Sequence, residues 1–471
     1  MPPKSPTSIK VYPQMDRHKR ILLLVKVVLA VMLLLFLLVT TFVLFAPAVM
    51  QRSRKCDDLC RSKIEGMFMQ HDLDIRLLNP ENWQIARPHD MKIVHSQGMF
   101  VSIIFEGNVG MGESYMAGKW KCDKIDELYY RILSSSMVHD SFAASGRSPL
   151  QRWIFHVCNK AFNMQNPMRS WRLAEVHYDL GNDLYTVMLD RRMVYSCGYW
   201  IGAKNLDEAQ ENKLELVCKK VGLHKKPNMK VIDLGCGWGS FMEYAAEKYS
   251  AHVTGLTVSK EQVLYGENRR ASCPTMKKKL QYHLQDYRDV MLCPDLYHEK
   301  FDAVVSIGSI EHVGLKNYRK MLDIANFCLK PGGLMLIHGI GVIRPDNPHD
   351  MWIRKYIFPN GYLPSVQQFS GALESTSKSS RLILEDVENF GPCYDKTLMA
   401  WNANFQKGWR EHPNLRQRYG PQFKRMWEFY LLICAAAFRA RTLQLYQFVV
   451  SKGGVGKVRG IYTRPCHTVH D

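Results

Sequence analysis

The order of apolar and polar positions divides the chain into five stretches. Residues 1–20 are polar and basic with no apolar period, and such a segment cannot bury enough surface to fold, so it is expected to be a disordered tail. Ile21 to Met50 reads "ILLLVKVVLAVMLLLFLLVTTFVLFAPAVM", with 24 uncharged residues from Val27 to Met50. About 20 apolar residues cross a bilayer, so 21–50 is expected to be a transmembrane helix, with Lys26 snorkelling to the interface. "APA" at Ala46–Ala48 superficially resembles a signal cleavage site, but the apolar run far exceeds the ~7–15 residues of a signal core. Five Lys/Arg lie before the span and five in residues 51–65, so charge bias leaves its orientation open.

Residues 51–135 mix helical periods with glycine-rich turns and predict a small accessory domain. "GNVGMGESYMAGKW" (107–120) reads as a loop. "CDKIDELYYRIL" (122–133) sets Ile125, Leu128, Tyr129 and Ile132 on one helical face. Residues 136–170 read as a connector with some helix. From 171 to 471 the pattern alternates. Strand-like "MKVIDLG" leads to helix-like "SFMEYAAEKY", then strand "AHVTGLTV" and helix "KEQVLYGENRR". Strand "FDAVVSIG", helix "NYRKMLDIANFCL", turn "KPGG" and strand "LMLIHGIG" follow. This succession predicts a doubly wound α/β domain with a parallel sheet.

Charge adds one feature to this picture. The net charge is +19, and the stretch from Lys407 to Asp471 holds 12 Lys/Arg against 3 Asp/Glu. A solvated basic surface and attraction to anionic lipid headgroups are both compatible with it. No nucleic-acid-binding signature accompanies the charge, so nucleic acid is not an expected partner. Thirteen irregularly spaced cysteines without a CxxC pair fit neither a disulfide framework nor a zinc site, and no metal is expected.

The glycine run "DLGCGWGSF" (Asp233–Phe241) carries the chemistry. A dinucleotide fold would place an acidic residue ~20 positions beyond the glycines to hold the ribose. Here Thr257 and Ser259 stand near that position, and the loop itself opens on an acid, Asp233. This D-x-G-x-G-x-G spacing resembles the first motif of class I S-adenosylmethionine-dependent methyltransferases, and "KPGG" before a late strand resembles them too.

Four further segments resemble cyclopropane-fatty-acyl-phospholipid synthases of the mycolic acid cyclopropane synthase-like family. They are "HYDLGNDLYTVMLDRRMVYSCGYW" (177–200), "SIEHVGLKNY" (309–318), "IFPNGYLPS" (357–365) and "YDKTLMAW" (394–401). "GESYMAGKWKCD" (112–123) and "AFRARTLQLYQ" (437–447) are similar to their N-terminal domain and C-terminal end. The resemblance implies a class I methyltransferase fold, a Rossmann-like doubly wound sheet, with a small N-terminal α+β lipid-binding-like domain at 51–135. It implies transfer of a methylene group from S-adenosylmethionine to the cis double bond of unsaturated phospholipid acyl chains. Attack by the alkene leaves a carbocation that aromatic faces can stabilise, and Tyr195, Tyr199, Trp200, Tyr356 and Phe358 lie in the matching motifs. The resemblance further implies a bound bicarbonate as base, held by Cys197, Glu311, His338, Tyr394 and the main chain at Ile340. Cys434 matches a cysteine suggested as a nucleophile in the family, although the chemistry needs none and helix core is the competing reading.

Cofactor contacts carried over in the same way are Tyr195 and Ser196, the loop residues Asp233, Gly235, Cys236, Gly237, Trp238 and Gly239, then Thr257, Gln262, Asp286 and Tyr287. Gln262 is equally readable as a solvent-facing residue of a first helical turn. The expected protein is a single-pass membrane enzyme, its catalytic part on the cytosolic side where the donor is found, and a homodimer is open. Competing readings are a methyl-branching lipid methyltransferase, a small-molecule N-methyltransferase and a non-catalytic lipid-binding protein. The intact Glu/His/Tyr set speaks against the last.

Overall fold

The computed structural model describes residues 50–135, 181–345, 350–374, 382–454 and 464–465. The tail (1–20), the expected span except for Met50, and the connector (136–170) lie outside the described residues. Among the described residues no helix is long and apolar enough to cross a membrane.

The N-terminal unit begins with helix α1 (Arg54–Gln70), whose N-cap Ser53 accepts a hydrogen bond from the Cys56 amide. Cys60, Ile64 and Phe68 recur every fourth residue and form its buried face. Three short strands, β1 (Leu77–Leu78), β2 (Met91–Ile93) and β3 (Trp120–Lys121), make one sheet. Helices α2 (Met99–Glu106), α3 (Asn108–Met116) and α4 (Ile125–Ser134) pack around it. Helix α3 corrects the loop expected at 107–120. Its glycines serve close packing: a Cβ on Gly110 would lie 2.3 Å from the Ser102 carbonyl oxygen, and one on Gly112 would lie 2.3 Å from Trp352 Nε1. Glycine-rich sequence here marks close approach between elements rather than a turn.

The larger unit runs α5 (Asn182–Met188), α6 (Leu206–Lys220), β4 (Lys230–Leu234), α7 (Ser240–Tyr249), β5 (His252–Thr257), α8 (Lys260–Ser272) and β6 (Leu280–Leu284). It continues through β7 (Phe301–Ile307), α9 (Ile310–Val313), α10 (Tyr318–Cys328), β8 (Leu329–Gly341), α11 (Met351–Tyr356) and α12 (Val366–Glu374). Strand β9 (Leu382–Asn389), helices α13 (Pro392–Glu411) and α14 (Pro413–Arg439), and strand β10 (Gln444–Lys452) complete it. The seven strands lie in the order β6-β5-β4-β7-β8-β10-β9. Strands β6 to β8 are parallel, whereas β10 runs antiparallel to both β8 and β9. The expected parallel sheet is present in five strands, and an antiparallel edge of two strands, β10 and β9, extends it. That edge follows from chain geometry, because β10 returns directly from α14 alongside β8 and needs no crossover.

The expected turn at "KPGG" interrupts the ladder within one long strand. Strand β8 starts at Leu329 and runs through these residues, with Gly332 at φ 74° and a slip in the ladder between Phe301 and Ala303. The glycines therefore make a bulge in a strand. The two units share one apolar core. Gly112 of α3 lies against Trp352 and Phe429, and Arg439 of α14 pairs with Asp126 of α4 at 2.9 Å and with Asp395 at 3.0 Å.

Candidate active site

Strand β4 is buried from Val231 to Leu234, apolar there except for Asp233, which it delivers to the carboxyl edge of the sheet. The loop beyond it turns on residues in the left-handed region, Gly235 at φ 109° and Gly237 at φ 56°. The amides of Gly235 and Cys236 donate to the Leu256 carbonyl at 3.0 and 2.9 Å, which ties the loop to β5. A Cβ on Gly237 would meet no atom within 4 Å, and Gly237 lines the cavity beside the loop, with its φ in the region that favours glycine. Gly239 is different. A Cβ there would lie 2.0 Å from the Tyr282 hydroxyl, and the residue is absent from the cavity wall. Its lack of a side chain serves close packing against Tyr282.

The other residues expected to contact the cofactor line the same cavity. Ser259 caps α8, and Gln262 in the first turn is buried, accepting from the Thr257 hydroxyl at 2.7 Å. The solvent-facing reading of Gln262 is thereby excluded. Asp286 and Tyr287 follow β6, and Arg288 Nε and Nη2 donate to the two Asp286 carboxylate oxygens at 2.8 and 2.5 Å. Tyr195, Ser196, Cys236 and Trp238 also line the cavity. One participant escaped the sequence reading. Lys213 is fully buried on α6, donates from Nζ to Ser196 Oγ at 3.0 Å, and lines the same wall as Asp233. Burial lowers Lys213 to about 8 and raises Asp233 to about 7, an effect the Lys213 charge partly offsets. A lysine on the buried face of an amphipathic helix, three residues after Gln210, was the available signal.

Glu311, His338, Ile340, Tyr394 and Cys434 line the same cavity of about 1100 Å³. Glu311 opens α9 beyond β7, and its Oε1 accepts from the Ile340 amide at 2.6 Å. Its Oε2 is buried without a partner, and burial pushes the carboxyl up to about 7. Antiparallel β10 sets Gln447 opposite His338, and Gln447 Nε2 lies 3.2 Å from His338 Nδ1. With that amide donating, the proton sits on His338 Nε2, a buried atom that has no partner in the described structure. Burial first, then the charges of Lys213 and Lys220, holds this imidazole neutral. Burial likewise keeps the Tyr394 phenol and the Cys434 thiol protonated.

Two of the residues expected at the anion have partners within the protein. The Ile340 amide is engaged by Glu311 itself. Cys197 lies outside the cavity wall, its thiol donating to the Gly198 carbonyl at 3.1 Å. The aromatic set is also revised. Tyr195 and Phe358 line the cavity, joined by Tyr430, whose hydroxyl is 2.9 Å from that of Tyr195. Tyr199 instead packs edge-on to Phe390, the Trp200 indole donates to Thr397, and the Tyr356 hydroxyl donates to Glu113. His312, its ring 5.9 Å from Phe358, is a further lining residue the sequence did not single out. Among the described residues no cluster of His, Cys, Asp or Glu could hold a metal ion.

An open sheet of this strand order, with a glycine loop after its central strand and Thr257 where a dinucleotide fold would carry an acid, defines a class I S-adenosylmethionine-dependent methyltransferase. Residues 165–448 match the mycolic acid cyclopropane synthetase family. The chain belongs to that family and is an S-adenosylmethionine-dependent methyltransferase of the cyclopropane-fatty-acyl-phospholipid synthase type. It is 40% identical over 375 residues to the cyclopropane-fatty-acyl-phospholipid synthase of Escherichia coli (strain K12), a match covering 78% of this chain and 89% of the relative. The cyclopropane synthase MmaA2 from Mycobacterium tuberculosis is similar in structure, with a TM-score of 0.54 and 27% identity over 62% of this chain and 100% of its own. Mycolic acid cyclopropane synthase CmaA1, complexed with SAH and CTAB, gives a TM-score of 0.53 and 29% identity over 60% of this chain and 98% of its own.

Proposed function

We propose that this enzyme adds a methylene group from S-adenosylmethionine across the cis double bond of an unsaturated phospholipid acyl chain, giving a cyclopropane acyl lipid and S-adenosylhomocysteine. One observation carries the reading: a single cavity runs from the Gly237 cradle past Glu311, His338 and Tyr394 into an apolar chamber. When bound, S-adenosylmethionine supplies the carbon and bicarbonate takes the proton that ring closure releases.

The protein's own groups are suited to this division of labour. Gly237 clears space for the donor, while Asp233, Lys213 and Ser196 form a buried polar wall beside it. Tyr195, Phe358 and Tyr430 offer ring faces to the cationic acyl chain, where a desolvated cation–π contact contributes ~2 kcal/mol. Burial excludes the water that would otherwise trap the cation as an alcohol. The unpartnered Glu311 Oε2 and His338 Nε2, with the Tyr394 phenol on the same cavity wall, fit a small oxyanion. Glu311, with Oε1 fixed by Ile340, accepts a proton at Oε2; His338 and Tyr394 donate hydrogen bonds. Cys434 stays a thiol and takes no covalent part. Residues 21–50 tether the enzyme to its substrate membrane, with the catalytic unit on the cytosolic side.

Mass spectrometry of lipids from cells expressing the protein tests the reaction. A gain of one CH₂ that resists hydrogenation supports ring closure, a saturated branch would point to methylation alone, and unaltered acyl chains would refute both. Deleting residues 1–50 should release the enzyme from membranes while sparing turnover on detergent-solubilised lipid; membrane retention in high salt would assign the anchor elsewhere.

A further inference from the structure

The cavity does not end within the catalytic unit. Beyond Glu311 and Tyr394 its wall passes to the N-terminal domain, where Ile64 and Met67 of α1, Leu77, Met91, and Ile103 and Ile104 of α2 line it. This end is apolar. Where the two units meet, the polar groups satisfy one another: the Tyr129 hydroxyl donates to Asn108 Oδ1 at 2.5 Å, and Asn108 Nδ2 donates to Asp350 Oδ2 at 2.8 Å. A volume of about 1100 Å³ exceeds the ~300–1,000 Å³ of a site for one small molecule, so there is space for a chain as well as the methyl donor.

We infer that the N-terminal domain receives the methyl-terminal segment of the acyl chain, and that its wall selects substrates by the number of carbons beyond the double bond. The inference rests on the proposed reaction and specifies which part of the lipid each unit holds. A hydrocarbon tail suits this predominantly apolar wall, because a phosphate or ester placed against it would lose hydration and gain few partners. The double bond is then held beside Glu311, His338 and Tyr394, which line the same cavity. Ile104 is half-buried in the chamber wall, so enlarging it intrudes on the tail and spares the fully buried core.

The test uses the full-length enzyme and two phosphatidylethanolamines in mixed micelles. Their cis double bonds lie equally far from the ester, but one has a long tail beyond the bond and the other a truncated tail. Ile104→Trp should lower kcat/KM for the long tail about tenfold or more while leaving the truncated tail within about twofold, the scale set by methylene-sized steric exclusion. Ile104→Ala should shift preference the opposite way and decides the matter if the Trp variant does not fold. Equal losses on both lipids with an unchanged unfolding midpoint would overturn the inference and indicate a portal for chain entry. Unchanged selectivity in both variants would overturn it too. Absence of methylene transfer by the wild-type enzyme to either lipid would instead defeat the proposed reaction.

Discussion

Replacing Glu311 by Gln separates the chemistry of this site from its stability. The carboxyl is 9% exposed, its Oε1 accepts from the Ile340 amide, and its Oε2 has no partner in the described structure. Burial therefore raises it from 4.5 to about 7. Between those values the folded protein holds a proton that the unfolded chain has released, so stability falls as pH rises through that window. Above it, the ionised carboxylate costs the fold about 3 kcal/mol, at ~1.4 kcal/mol per pK unit. A glutamine keeps the bond from Ile340 and carries no charge. The variant should unfold at higher temperature than wild type at alkaline pH, with the difference closing towards pH 4.5. Its turnover should move the other way. Losing a positioned proton acceptor costs ~10²–10⁴-fold in rate, and the wild-type rise of kcat with pH, centred near 7, should vanish. The assay is transfer of methyl-labelled carbon from S-adenosylmethionine to phospholipid, with calorimetry of donor binding alongside. Wild-type turnover in the variant would refute the role. A fall in donor affinity matching the fall in rate would also refute it, by locating the damage at the cofactor end.

Other substitutions probe the remaining features. Lys213→Met removes the buried donor to Ser196 and the charge that partly offsets the rise in Asp233, so calorimetry should find donor affinity about tenfold weaker, the equivalent of one charged hydrogen bond. Cys434→Ala should retain turnover, and iodoacetamide should modify the wild-type thiol slowly because burial keeps it protonated; loss of labelled-lipid formation would restore a covalent role. Gly112→Ala drives a methyl group into Trp352 and Phe429, and thermal denaturation should register a loss of about 1–3 kcal/mol from overpacking.

Local sequence carried the catalytic unit's alternating elements and its cofactor loop. A buried strand must be apolar, a tight turn against a ligand must be glycine, and a helix start needs a cap, as Ser259 supplies ahead of Gln262. Matching segments likewise brought out Glu311, His338 and Tyr394, since their neighbours along the chain mark them. Residues that act through distant partners were beyond such reading. Lys213 matters because α6 presses it against Ser196, and Gln447 because an antiparallel return lays it opposite His338. The same limit misread the glycines of α3, whose purpose is fixed by Ser102 and by Trp352. The local pattern determined the alternation of strands and helices in the catalytic unit and the position of its glycine loop, because those depend on near neighbours. Tertiary packing decided which atoms remain unpartnered, that Cys197 and Gly239 stand outside the wall, and that an apolar chamber spans both units, because a cavity is what folded side chains leave unfilled.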